Sequence, residues 1–235
     1  MRGAIYKFLV VIMVGAGLAG CQSPGAVGAL QSAPYGYDLL SPASTKPAPA
    51  TSMPNGQAAL PPPGYISFCL RFADQCTSNT APVEPVAAAQ VWPLLNQVNM
   101  AVNAAIKPED DLTHYGRPEY WTIPSDGYGD CEDYALTKRQ QLAKAGIPLG
   151  DLNIAIVKLW DGERHAVLTV STELGDYVLD NLNDEVRPWN KDDYVWIERM
   201  SPASRSQWAS LGADAPLLNI ASNSPPQLAV GALRP

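Results

Sequence analysis

A thiol, an imidazole and a carboxylate stand at three telling places in the chain. Cys131 lies in Gly129-Asp130-Cys131-Glu132-Asp133-Tyr134-Ala135, where a loop loosened by Gly127 and Gly129 delivers it to the start of a helix. A helix N-terminus carries partial positive charge and unpaired N–H groups, so a thiol there ionises more readily and its own N–H can face a developing oxyanion. A cysteine nucleophile also needs a base to take its proton and a third group to hold that base in one tautomer. The chain has two histidines: His114 in a loop, and His165 at the head of the run Arg164-His165-Ala166-Val167-Leu168. His165 is the favoured base and His114 the alternative. Asp180 ends the apolar run Tyr177-Val178-Leu179, an unusual place for a carboxylate, and so is the candidate orienting group. Asp130, Glu132 and Asp133 crowd the thiol with negative charge, which opposes a thiolate unless a cation offsets it. The plain structural account is that Asp130 caps the helix and Cys131 is a small buried apolar residue.

The elements that must position these groups are readable from periodicity. The Cys131 helix has apolar residues at Tyr134, Ala135, Leu142 and Ala145 and stops at Gly146 with Pro148 beyond, while Lys138, Arg139 and Lys144 sit toward its C-terminal end, complementing the dipole. An earlier helix carries Leu94, Leu95, Val98, Val102, Ala105 and Ile106 at helical spacing, with Pro93 in its first turn, an end at Lys107-Pro108 and its asparagines solvated. Between Glu109 and Asp130 runs a long connection bearing Tyr115, Tyr120, Trp121 and Tyr128, which either lines a cleft or packs under a loop. After Gly150 the period changes to short strands: Asn153–Lys158, Arg164–Ser171, Tyr177–Asp180 and Tyr194–Ile197. Helices followed by an antiparallel sheet make an α+β fold. A hairpin turn centred on Leu174 would set Asp180 opposite Leu168, three positions of ~3.3 Å from His165, so a twist, bulge or uneven loop is expected if the two are to meet.

Composition divides the 235 residues into parts. Residues 1–20 read as an export signal, with Arg2 and Lys7 ahead of an apolar run too short to span a bilayer. Leu18-Ala19-Gly20-Cys21 resembles a lipoprotein cleavage box, which implies a lipid anchor at Cys21, and Gln22 after it points to the outer membrane facing the periplasm. Residues 21–63 are rich in Pro, Ala, Ser and Gly and read as a disordered tether; residues 64–212 form the folded domain, and 213–235 return to tail-like composition. A net charge of −7 with no Lys/Arg cluster excludes nucleic acid as a partner. Of four cysteines, Cys21 belongs to the signal, and Cys69 and Cys76 suit a local disulfide in an oxidising compartment, leaving Cys131 as the odd thiol.

Gly129-Asp130-Cys131-Glu132-Asp133-Tyr134-Ala135, Arg164-His165-Ala166-Val167-Leu168 and Tyr177-Val178-Leu179-Asp180-Asn181, in that order, resemble the bacterial transglutaminase-like cysteine proteinase family, over about Trp92 to Trp208. The resemblance implies a papain-like or transglutaminase-like fold in which Cys131 is nucleophile, His165 general base and acid, and Asp180 the orienting carboxylate. It implies calcium held by Asp130 and Glu132, a choice consistent with hard oxygen ligands, with Asp126, Asp133 and Asn181 as open candidates for further donors. It further implies an endopeptidase acting on an exported protein such as a large surface adhesin, and an inner-membrane receptor for cyclic di-GMP as partner. Two readings stand beside it: acyl transfer to an amine, giving cross-links, and a non-catalytic binding lipoprotein on the same fold. The chain departs from the family in having Arg164 where glycine usually precedes the histidine, and in its Cys69/Cys76 pair.

Overall fold

The two periodicities become two layers. The computed structural model describes residues 46–76 and 84–216. In chain order the elements are β1 (Ala58–Ala59), α1 (Pro63–Arg71), α2 (Ala73–Cys76), α3 (Ala88–Ala105), β2 (Lys107–Pro108), α4 (Asp111–Tyr115), β3 (Tyr128–Gly129), α5 (Cys131–Lys144), β4 (Leu152–Lys158), β5 (Arg164–Thr172), β6 (Gly175–Leu179), β7 (Arg187–Pro188), β8 (Val195–Ser201) and β9 (Ser204–Ser210). The main sheet is antiparallel in the order β1-β9-β8-β4-β5-β6-β7, and β2 pairs in parallel with β3. This is the expected α+β class, with helices on one face of the sheet.

Helices α3 and α5 each bury one apolar stripe against that face. Trp92, Leu95 and Val102 of α3 and Tyr134 and Leu142 of α5 pack on Leu168, Tyr177 and Leu179. Each such side chain contributes about 1.5–3 kcal/mol by leaving water. Next to this core, Tyr65 and Phe68 of α1 meet Trp121, Ile156, Met200 and Trp208. Alternate positions Val157, Val167 and Val178 fill the other face of the sheet with Trp189 and Trp196. Cys69 and Cys76 are joined in a disulfide that ties α1 to α2, and Cys131 is free.

Several expectations are corrected. The segment from residue 46 to 63, read as part of a disordered tether, is bonded to the sheet: Ala50 N–H donates to Leu174 O at 3.1 Å, Asp176 N–H to Thr51 O at 3.1 Å, and Gly56 N–H to Ser210 O at 3.0 Å. Buried Arg199, paired with Asp176, completes its hydrogen bonds on Met53 O and Asn55 Oδ1. A segment too polar for a core of its own can still satisfy backbone groups along another element. Helix α3 begins at Ala88, which puts Pro93 inside the helix rather than in its first turn. Strand β9 was not foreseen because Ser204-Arg205-Ser206-Gln207 lacks β-branched residues; pairing to β8 and β1 holds it. Lys138 and Arg139, expected to complement the dipole toward the helix end, are fully buried. The export signal, Cys21, the tether up to residue 45 and the tail from residue 217 lie outside the described residues. No described helix is long and apolar enough to cross a membrane.

The hairpin that carries the base is regular. Leu168 pairs with Leu179 and Thr172 with Gly175, so the turn is centred between Glu173 and Leu174 and no bulge interrupts the ladder. Continuing that register sets Asp180 opposite Val167, which makes it a diagonal neighbour of His165 on the same face. Diagonal cross-strand neighbours lie about 7–8 Å apart at the backbone, within reach of long side chains. The expected distortion is therefore unnecessary: a half-residue difference in the turn centre converts opposite faces into one face.

Candidate active site

Helix α5 presents Cys131 as its first residue. The thiol donates to Glu132 Oε2 at 3.1 Å and its sulfur accepts from Ala166 N–H at 3.4 Å, so it rests against the residue that follows His165. Burial pushes the Cys131 thiol well above its usual range, and the charges of Glu132 and Asp130 push it the same way. Asp130 O accepts the N–H groups of Asp133 and Tyr134, which leaves those of Cys131 and Glu132 at the open helix end without intrahelical partners. Cys131 and His165 line one cleft with Pro62, Trp121, Ile156 and Arg164.

His165 Nε2 lies 2.8 Å from Asp180 Oδ1, and both side chains are buried. That bond occupies Nε2 and leaves Nδ1 as the ring nitrogen for a thiol proton. Burial works against charge on Asp180, but hydrogen bonding and charge from His165, the Leu182 N–H and the Tyr194 hydroxyl outweigh it and hold the carboxyl below its usual range. Asn103 Nδ2 donates to Asp180 O at 2.9 Å, and Asn99 Nδ2 to Asn183 O at 2.8 Å. The asparagines expected to be solvated thus hold the loop that carries Asp180. His114 Nε2 meets Asp126 Oδ2 at 2.9 Å, its ring stacks on Tyr115, and it is not among the residues lining the cleft.

On the other side of the thiol, oxygens of Asp111, Asp130 and Glu132 lie within 4.8 Å of one another. Asp111 is brought there by the pairing of Lys107 with Tyr128 and Pro108 with Gly129, which folds the start of the long connection onto its end. Asp110 caps the short helix α4 through Thr113 N–H at 3.0 Å and so fixes the residue beside it. Asp130 occupies the N-cap position of α5 but its side chain makes no cap bond, and Asp130 Oδ1 and Asp111 Oδ1 are buried without partners. Burial raises Asp130 to about 6 and Glu132 to about 9, with each carboxyl's proximity to the other adding to Glu132. Three carboxyls that cannot all stay charged together, with buried oxygens aimed at one another, fit a hard divalent cation such as calcium.

Of the other donors considered, Asp126 is engaged by His114 and by Tyr128 N–H at 3.2 Å. Asp133 Oδ1 accepts Thr122 N–H at 2.7 Å, burial holds its carboxyl up at about 8, and a Cβ at Gly129 would come 2.6 Å from its Oδ2. Gly129 is therefore required by packing on Asp133. Asn181 Oδ1 is buried without a partner. Asp111 was missed because nothing near it in the chain marks it as a ligand. Tyr194 and Asn103 were missed because nothing beside them in the chain marks either as a partner of Asp180, to which only the fold brings them.

A cysteine-bearing helix start laid on an antiparallel sheet that presents a histidine is the plan of transglutaminase-like cysteine peptidases. The chain belongs to the bacterial transglutaminase-like cysteine proteinase family (BTLCP), whose model matches residues 55–215, and it is an enzyme of that class. Among solved structures it is similar to Legionella pneumophila LapG at 27% identity, covering 46% of this chain and 63% of that one with a TM-score of 0.41. It is also similar to the EGTA-treated form of that protein (27% identity, 46% and 62% covered, TM-score 0.41) and to the calcium-bound form (25% identity, 55% and 75% covered, TM-score 0.43). The chain thus spans less than two thirds of the first two. No curated protein matches it in sequence.

Proposed function

We infer that this proteinase is a calcium-dependent endopeptidase in which Cys131 attacks a peptide carbonyl, His165 moves the proton and Asp180 orients the imidazole. The observation that carries this reading is the buried His165–Asp180 bond of 2.8 Å, one residue along β5 from the N–H that touches Cys131 Sγ. The thiol proton passes to His165 Nδ1, and the thiolate adds to the substrate carbonyl. The N–H groups of Cys131 and Glu132, open at the helix start, would receive the developing oxyanion. His165 then returns the proton to the leaving amine, and water hydrolyses the thioester by the same imidazole acting as base.

Asp111, Asp130 and Glu132 would hold the calcium. Bound there, it supplies positive charge that offsets the carboxylates beside the sulfur. Glu132 accepts the resting thiol proton at 3.1 Å and would also be one of the residues that hold the cation.

The substrate class we favour is an exported or cell-surface protein such as an adhesin. Anchorage through Cys21 would set the enzyme at the outer membrane, and an inner-membrane cyclic di-GMP receptor would be its regulator. The test is incubation of wild type and Cys131→Ser with envelope proteins, with and without a calcium chelator, read by mass spectrometry. New termini that need both Cys131 and calcium are expected. Isopeptides in place of new termini would instead mean acyl transfer, and products that persist with Cys131→Ser would overturn the assignment.

A further inference from the structure

Arg164 stands one residue before His165 at the mouth of the cleft, and it is the one Lys or Arg among the described residues lining it. Its Nη2 donates to Glu198 Oε1 at 3.1 Å. The two ends of this pair are unlike: the Arg164 side chain is 55% exposed and that of Glu198 only 1%. Glu198 is opposite Ile156, at the last position before the β4–β8 register slips, so a buried strand residue anchors a guanidinium that reaches solvent. Burial raises Glu198 to about 7 against the pull of Arg164.

A guanidinium has five N–H donors in a rigid fork; one is committed to Glu198, and the side chain that carries the rest is more than half exposed. Fixing the fork in advance reduces the freedom lost when a ligand binds. Such a fork recognises a carboxylate, with two parallel hydrogen bonds in the best geometry. The same cleft is lined by Glu119, bound to Trp121 Nε1 at 3.1 Å, and by Glu132. Arg164 is therefore the lining residue with a permanent positive charge for an acidic ligand group to meet.

We propose that Arg164 is a specificity-determining residue that selects a protein substrate carrying an Asp or Glu side chain at one position beside the scissile bond. This rests on the endopeptidase reading above. The position preference follows from Arg164 being the one Lys or Arg of the cleft lining, next in the chain to His165, and Glu198 acts as the brace that holds the fork.

The experiment digests a peptide library with the calcium-loaded full chain and then measures a matched pair of peptides, Asp against Asn at the enriched position. Wild type is expected to show acid enrichment at a single position and about a tenfold preference in kcat/KM for the Asp peptide, the size of one modest charge-assisted bond. In Arg164→Gln the ratio falls to near one, and in Arg164→Glu the library shifts toward Lys or Arg at that position. Should Arg164→Gln lose its cooperative melt, Arg164→Lys carries the comparison: a monodentate ammonium lowers the Asp-to-Asn ratio, and an unchanged ratio overturns the proposal. So does a wild-type library without acid enrichment, or enrichment that survives Arg164→Gln. A library left uncut by wild type, or cut equally by Cys131→Ser, sinks the peptidase reading itself and is distinguishable from those outcomes.

Discussion

Asp180→Asn is the sharpest test of how the base is held. The aspartate is buried and receives His165 Nε2 at 2.8 Å, Leu182 N–H at 3.0 Å and the Tyr194 hydroxyl. When His165 takes the thiol proton, an imidazolium forms beside that carboxylate, and charge centres about 4 Å apart attract by about 4 kcal/mol at an effective dielectric of about 20. The neutral amide forfeits most of this, and its NH2 group cannot accept from the donors that surround it. About 4 kcal/mol is about a thousandfold in rate. Because the charge exists only after proton transfer, the loss should fall on kcat with KM little changed. Steady-state cleavage of a peptide identified from the envelope digest measures it, with a cooperative thermal melt to show that the variant folds. A folded Asp180→Asn within threefold of wild-type kcat would refute the orienting role.

Asp111→Asn should weaken calcium binding at least tenfold in isothermal titration and remove the rise in melting temperature that calcium gives wild type; full retention of both would exclude Asp111 as a ligand. Asn103→Ala deletes donors to Asp180 O and Asp184 Oδ1, and is expected to lower kcat about tenfold while KM stays near wild type. Equal loss in stability with no loss in kcat would make Asn103 only a brace. Lys138 is buried, its Nζ lacks a hydrogen-bond partner, and burial lowers its pKa from 10.5 to about 7. Between those values the unfolded chain holds a proton that the folded one has released, so this group makes stability rise with pH across that window. Lys138→Met should therefore add about 2 kcal/mol at pH 7, an advantage that shrinks toward pH 10, as read by urea unfolding at several pH values.

How far the fold was legible depended on whether side chains or backbone groups hold each part. The stripes of α3 and α5 and the alternation of β4, β5 and β6 are written in apolar periodicity, and they were read with the right class and order. The segment through Thr51, Met53 and Gly56 and strand β9 are held by backbone bonds and by Arg199, which leave no periodic trace in the sequence. Composition alone made the first of them look unfoldable. Lys138 and Arg139 are a further case: position toward a helix end suggested a dipole role, and burial is not legible from it, yet Arg139 Nε donates to Leu152 O at 3.0 Å inside the molecule.

The site shows the same divide more finely. Cys131, Asp130 and Glu132 are neighbours in the chain, so their crowding was visible, and the absence of a side-chain cap bond at Asp130 gives that crowding its meaning. A carboxylate that merely capped the helix would spend its oxygen on an N–H of the first turn; this one keeps Oδ1 buried and partnerless beside Asp111 and Glu132. His165 and Asp180 lie far enough apart in sequence that their meeting hinged on a turn centre, and a turn centre is among the least determinate quantities a sequence offers. Placed on Leu174 it sends the two side chains to opposite faces; placed between Glu173 and Leu174, as the Thr172–Gly175 pairing requires, it brings them together without any bulge. An insertion of one residue in that turn should therefore uncouple the imidazole from its carboxylate while leaving Cys131 and the acidic cluster at the start of α5 unchanged.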